Sequence, residues 1–210
     1  TGSQVMKYIQ IIKLCTKNSL NQRNLTNNMY EVEVKARLIN RKEVFEKLQS
    51  MGCVWSTELH QIDDIFTPVT TVFPPPKGEP VLRIRNENGK YILTLKINQT
   101  SRQDCIEHEV EISDGEEMDK IIKLLGFRDD VTVDKKRIKT KFKDIEVVLD
   151  TVKDLGEFIE AEKVVTEPDP AARMKIQEEL YDFLETLGVK KEDRVIDGKY
   201  DIMLLEKANS

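Results

Sequence analysis

The stretch 30-YEVEVKARL-38 sets Glu31, Glu33, Lys35 and Arg37 at alternate positions, with Val32, Val34, Ala36 and Leu38 between them. On a β-strand, alternate side chains share a face, so one face here is apolar and the other carries charges of both signs. The pattern recurs. Arg83 and Arg85 stand opposite Leu82 and Ile84, and Thr94 and Lys96 stand opposite Leu93, Leu95 and Ile97. Glu107, Glu109 and Glu111 oppose Ile106, His108, Val110 and Ile112, while Lys135 and Arg137 share a face. Glu146 and Asp150 oppose Ile145, Val147 and Leu149, and Phe158, Glu160 and Glu162 oppose Glu157, Ile159 and Ala161. The charges are sorted by strand, cations at 83, 85, 96, 135 and 137 and anions at 107, 109, 111, 160 and 162.

An antiparallel sheet with one face in water explains any single strand of this kind. Sorted charges, with few Thr, Ser or Gln among them, favour a sheet curled into a barrel with the charged faces inward. Such a lumen suits a polyanion with metal ions. Arginine forks grip phosphate oxygens at two points and lysine supplies point charge. Carboxylates repel a phosphate chain unless a cation bridges them, as Mg²⁺ or Mn²⁺ does with oxygen donors.

The elements that must carry these residues follow from periodicity and turn chemistry. Strands are expected over 29–39, 81–85, 91–97, 106–112, 131–141, 145–152 and 157–165, with 53–66 mostly extended. Asn88-Gly89 marks a hairpin turn, and 73-FPPPKGEP-80 is a loop because proline excludes helix and central strand. Helices are expected over 41–51, over 114–125 with Asp114 as N-cap, and from 166-TEPDPAA-172 to about Leu187, stopped by Gly188. The tail 189–210 is polar until 200-YDIMLL-205, whose apolar run suits covering an opening or docking on the surface. Trp55 and Phe66 read as packing residues rather than a platform for a base, His108 as packed on the apolar face, and Glu146 as a rim or surface charge.

Composition sets limits. In 210 residues, a charged fraction of 34% against 39% hydrophobic describes a globular chain. The net charge of -5 argues against non-specific nucleic-acid binding. Cys15, Cys53 and Cys105 are scattered and fit no metal spacing, so they read as reduced thiols in a cytoplasmic protein. Two histidines are too few for most histidine-based sites. No run reaches the ~20 apolar residues of a membrane span. Residues 1–28 lack acidic groups and are expected to be a leader or expression-derived segment without function, with Met29 as a native start.

The ordered set 31-EVEVK-35, 83-RIR-85, 94-TLK-96, 107-EHEVE-111, 135-KKR-137, 149-LD-150 and 155-LGEFIEAE-162 resembles CYTH domains, the triphosphate tunnel metalloenzymes. The ExExK signature alone is weak, but the ordered set is specific and covers residues 29–165. Together with 61-QIDDIF-66 it is most similar to the class IV adenylyl cyclase-like branch. The resemblance implies an α+β fold, a closed eight-stranded antiparallel β-barrel with helices packed outside, over 29–190, followed by a tail over 191–210. It implies Mg²⁺ or Mn²⁺ as cofactor. Metal ligands would be Glu31, Glu33, Glu160 and Glu162, with Glu109 and Glu111 as additional candidates. Lys35, Arg83, Arg85, Lys96, Lys135 and Arg137 would bind phosphates. Glu31, Glu33, Lys35 and Asp150 would form the catalytic group, Asp150 sitting near the metal or orienting a basic neighbour. Relatives often carry a Ser-Tyr pair in the tail where this chain has Lys199-Tyr200.

The activity so implied is conversion of ATP to cyclic AMP and pyrophosphate. The alternatives are hydrolysis of tripolyphosphate or an organic triphosphate such as thiamine triphosphate, and, in a different class, a non-catalytic module binding polyphosphate or nucleotide. Expected partners are a nucleoside, inorganic or organic triphosphate, with neither nucleic acid nor membrane; a homodimer is left open.

Overall fold

The structure is a computed structural model that describes residues 29–99, 104–196 and 198–209. The expected leader over 1–28, with Cys15, lies outside the described residues. Eight strands, β1 (Tyr30–Arg37), β2 (Leu59–Pro68), β3 (Pro80–Glu87), β4 (Lys90–Asn98), β5 (Asp104–Ile112), β6 (Phe127–Phe142), β7 (Ile145–Val152) and β8 (Gly156–Val165), close into a barrel. The order around it is β1-β5-β4-β3-β2-β6-β7-β8, and every neighbouring pair is antiparallel. The helices are α1 (Arg41–Ser50), α2 (Gly115–Leu124), α3 (Pro170–Thr186) and α4 (Tyr200–Ala208). None is long and apolar enough to cross a membrane.

Local chemistry accounts for the punctuation. Asn88 and Gly89 both adopt positive φ, 50° and 88°, as the tight β3–β4 hairpin requires. Asp114 caps α2 by accepting from the Glu117 amide at 2.9 Å, and Asp169 caps α3 from the Ala171 amide at 3.1 Å with Pro170 following it. Gly115 lies against the Tyr91 ring so closely that an added Cβ would stand 2.3 Å from Cδ1, which fixes glycine where α2 meets the barrel.

The outward apolar faces are covered unevenly. Val32, Val34 and Ala36 of β1, Val147 and Leu149 of β7, and Ile159 and Ala161 of β8 pack under α1 and α3 through Val44, Leu48, Leu180 and Leu184. A smaller cluster joins Phe66, Ile84 and Ile122 under α2. The middle of the outer side of β5 is not covered by the described residues: Val110 is 56% exposed and His108 is exposed rather than packed, correcting the sequence expectation. Trp55 stacks on Phe45 with ring centroids 5.0 Å apart, and Phe66 is buried, both as packing residues. Strand β6 runs from Phe127, four residues before the expected start, because it pairs with the full length of β2. The tail forms α4, whose Tyr200 joins Val133, Val152 and Phe158 in a third buried cluster.

Candidate active site in the barrel lumen

Inward-facing side chains of all eight strands leave a cavity of about 320 Å³ inside the barrel. Near neighbours are set by register: Arg85 is opposite Asp63, Lys96 opposite Glu107, Arg137 opposite Asp150, and Lys35 opposite Glu160. Helix α4 crosses one end, where Lys199 Nζ donates to Asn98 Oδ1 at 3.1 Å and the Tyr200 ring meets Phe158 at 5.0 Å. The other end lies where β1 and β7 begin and β8 finishes. There Lys139 and Glu146, paired at 2.8 Å, have side chains 35% and 41% exposed, so solvent reaches it.

A belt of cations crosses the middle, each held by a carboxylate. Arg85 donates from Nε and Nη2 to Asp63 at 2.6 and 2.8 Å, and Lys135 donates to the same carboxylate at 2.8 Å. Arg137 makes a two-point pair with Asp150 at 2.7 and 2.5 Å and reaches Glu160 at 2.7 Å. Lys35 lies 3.0 Å from Glu160 and 4.0 Å from the centroid of the Tyr200 ring. Arg83 bonds Glu109 and Thr94, and Lys96 bonds Glu107. Burial opposes the charges of Lys35, Lys135 and Asp63. Against it, Glu160 and Glu33 raise Lys35, and Lys135 and Arg85 hold Asp63 well below the usual carboxylate range. Lys135 goes the other way: burial, reinforced by Arg137 and Arg85, pushes it down to about 7 despite Asp63. Of this pair, the lysine is the partner that can release its proton near neutrality.

One donor in the belt is unused: Arg83 Nε is buried with no hydrogen-bond partner. A buried donor left unpaired costs free energy, and a phosphate oxygen is the acceptor an arginine fork matches best.

The carboxylates near the solvent-reached end are under-neutralised. Glu33 pairs in register with Glu162, which also faces Glu146. Burial, then Glu33 and Glu146, push Glu162 up to about 7. Glu31 is raised by burial and by Glu107, whereas Lys96 and Arg83 hold Glu107 low. Carboxyl oxygens of Glu31 and Glu107 and the Cys105 sulfur lie within 4.8 Å of one another, and burial pushes that thiol up to about 12. Excess negative charge in a half-buried oxygen-donor set fits Mg²⁺ or Mn²⁺.

The lumen gathers Glu31, Glu33, Lys35, Arg83, Arg85, Lys96, Glu109, Lys135, Arg137, Glu160 and Glu162. Glu111 is exposed and does not line it. Glu160, expected beside Glu31 and Glu33 as a ligand, is held here by Lys35 and Arg137. Asp150 is fully buried behind Arg137, so it orients a basic neighbour rather than facing the cavity. Arg37 is exposed and bonds the Leu155 carbonyl outside the lumen. Glu146 does line the cavity, at its mouth.

Asp63, Glu107, Lys139 and Tyr200 are site residues that sequence reasoning did not assign. The adjacent pair Asp63-Asp64 hid the inward one, since alternation alone does not say which points in. Its register partner Arg85, already placed on the charged face, is the signal that would have found it.

Comparison with known proteins agrees with this fold. The family model described as CYTH domain matches residues 29–198. A Methanocaldococcus jannaschii protein named "Putative adenylate cyclase" is 34% identical over 175 residues, spanning 82% of this chain and 97% of its own length. The structure of the PH1819 protein from Pyrococcus horikoshii superposes with a TM-score of 0.69 at 29% identity, over 84% of this chain and 99% of that one. A "putative adenylate cyclase" from Vibrio parahaemolyticus gives the same TM-score at 16% identity, over 83% and 97%, a likeness of fold.

Proposed function

The chain belongs to the CYTH domain family, and from that premise we propose that it is a divalent-metal-dependent enzyme acting on a triphosphate, with ATP cyclisation to cyclic AMP and pyrophosphate as the first reading. One observation carries this. A single lumen holds a belt of positioned cations and, beside it, carboxylates short of counter-charge, Glu31 and Glu162, together with Glu33, which lies 3.9 Å from Lys35. Arg83, Arg85, Lys96, Arg137 and Lys35 bind the phosphate chain, Arg83 through its unused Nε. Glu31, Glu33 and Glu162 hold the cation, which when bound neutralises phosphate charge and stabilises the leaving oxygen. Asp150 and Asp63 position Arg137 and Arg85 without touching substrate. Lys135, poised near neutrality, accepts the proton of the attacking hydroxyl. The 34%-identical relative's name supports the cyclase reading.

A second reading, hydrolysis of tripolyphosphate or of an organic triphosphate such as thiamine triphosphate, draws on the solvent-reached end of the lumen, which puts water close to the under-neutralised carboxylates. Product analysis separates the two. Cyclic AMP with pyrophosphate from ATP and Mn²⁺ supports cyclisation, and orthophosphate from ATP, thiamine triphosphate or tripolyphosphate supports hydrolysis. Binding of these ligands with no product from any of them overturns both.

A further inference from the structure

The buried residues of α3 are Leu180, Tyr181, Leu184 and one charge, Arg173, which is 2% exposed. Its Nε and Nη2 donate to the two carboxyl oxygens of Asp104 at 2.8 and 3.1 Å, and its Nη1 donates to the carbonyls of Glu167 and Pro168, each at 2.9 Å. The guanidinium carbon lies 4.1 Å from the centroid of the Tyr30 ring. Tyr30 is the first residue of β1 and Asp104 the first of β5, so one side chain outside the barrel grips both strands. One turn further along α3, Gln177 donates to the Glu33 carbonyl at 3.5 Å. This grip falls on the shortest seam of the barrel. Among the described residues, β1 and β5 pair over 30–32 and 104–106 alone, whereas β1 pairs with β8 from Tyr30 to Arg37. Each backbone hydrogen bond adds little net stability, so a ladder this short fixes its strands less firmly than its neighbours do.

We propose that Arg173 is a positioning residue for the cation: by clamping Tyr30 and Asp104 from outside, it fixes Glu31 across the seam from Cys105 and Glu107, and so sets how tightly the lumen holds its metal. This role rests on the metal-dependent reading above and deepens it, placing control of cation affinity in a helix that never enters the lumen. Glu31 is opposite Cys105 in the ladder, and its carboxyl lies within 4.8 Å of the Cys105 sulfur and the Glu107 carboxyl. Two carboxylates this close repel unless a proton or a cation stands between them, so the seam that presents them is the one that needs support from behind. Stability alone does not account for the clamp. A buried ion pair gains little over apolar side chains of the same shape, and the other buried residues of α3 are of that kind. What a guanidinium fork adds is direction, since it meets a carboxylate at two points.

The test is calorimetric Mn²⁺ binding, with no triphosphate present, to the wild type, Arg173→Lys, Asp104→Asn and Tyr30→Leu. Arg173→Lys keeps the charge and loses the fork. Tyr30→Leu keeps the ion pair and loses the ring beneath it, so it probes the clamp even where breaking the buried pair prevents folding. Ile122→Ala, in the separate cluster under α2, is the destabilised control. Arg173→Lys and Asp104→Asn should weaken Mn²⁺ binding about tenfold or more, as loss of a group behind a metal ligand does. Tyr30→Leu should weaken it by less, and Ile122→Ala should bind Mn²⁺ as the wild type does. Without metal, amide hydrogen exchange over 30–32 and 104–106 should quicken more in the clamp variants than in the control. In turnover, the clamp variants should need more Mn²⁺ for half their maximal rate and reach the wild-type rate at saturation. Unchanged Mn²⁺ affinity in the clamp variants that fold, or an equal loss in Ile122→Ala, overturns this inference alone. A wild type that binds no Mn²⁺ overturns the metal-dependent reading with it.

Discussion

The Tyr200 hydroxyl donates to Asp150 at 2.9 Å, joining the first residue of the C-terminal helix to a carboxylate of β7, 50 positions earlier in the chain. Asp150 is fully buried and spends its other contacts on Arg137. The same ring lies over Lys35 and against Phe158. One aromatic side chain thus ties α4 to the cation belt.

Tyr200→Phe removes this hydrogen bond and keeps the ring, so it should cost about 1.5–3 kcal/mol, the range for a hydrogen bond to a charged group. Tyr200→Ala also removes the ring packing and should cost about 3–5 kcal/mol. Urea unfolding measures both. A Tyr200→Ala protein as stable as the wild type would show that α4 does not seat its tyrosine in the barrel.

Lys35→Ala leaves Glu160 buried with Arg137 as its remaining partner. The expected loss is near the lower end of about 3–5 kcal/mol for breaking a buried pair. Lys35→Met combined with Glu160→Gln should recover most of that stability without recovering ligand affinity. Recovery of both would remove Lys35 from the phosphate-binding set.

The fold was legible in this chain because alternation on each strand separates a helix-facing side from a lumen-facing side, as Val32, Val34 and Ala36 against Glu31, Glu33 and Lys35 show. The sorted charges pointed to a charge-lined lumen before any contact was known. Three features were hidden for physical reasons. His108 sits on an apolar face that no described helix covers, and alternation cannot report what packs outside a strand. The resemblance implied Glu160 as a ligand, and alternation could not show that the β1–β8 register sets it against Lys35. Tyr200 reaches the lumen from the far end of the sequence, where an apolar run says only that something is covered.

Raised carboxylates set the pH dependence of the metal-free protein. Glu162 titrates near 7 in the fold against 4.5 as an ordinary glutamate. Between these values the folded state binds more protons than the unfolded one, so this group makes stability fall as pH rises from about 4.5 toward 7. Glu162→Gln should flatten that part of the stability curve, and saturating Mn²⁺ should do so in the wild type. By the same sign, Mn²⁺ affinity should climb as Glu162 loses its proton near 7 and Glu31 near 8, and then level off. Calorimetry showing a pH-independent affinity from pH 5 to pH 8 would contradict this.

Lys135 supplies a second pH signature. If it accepts a proton while titrating near 7, turnover at saturating metal should rise with pH through that value. The Asp63 carboxylate at 2.8 Å favours the charged lysine, so Asp63→Asn should move this limb to lower pH. A limb that stays in place, or moves upward, would assign the proton acceptor to another group.

The central claim is that the under-neutralised carboxylates hold a catalytic cation while the belt holds the phosphates. Its most direct measurement is product formation from ATP, thiamine triphosphate and tripolyphosphate as Mn²⁺ is titrated, in the wild type and in Glu31→Gln. Wild-type turnover should be absent without the cation and saturate with it. Glu31→Gln should abolish turnover while retaining the wild-type melting temperature and ligand binding at the belt. Turnover by the wild type without any divalent cation, or near-normal turnover by Glu31→Gln, would contradict it.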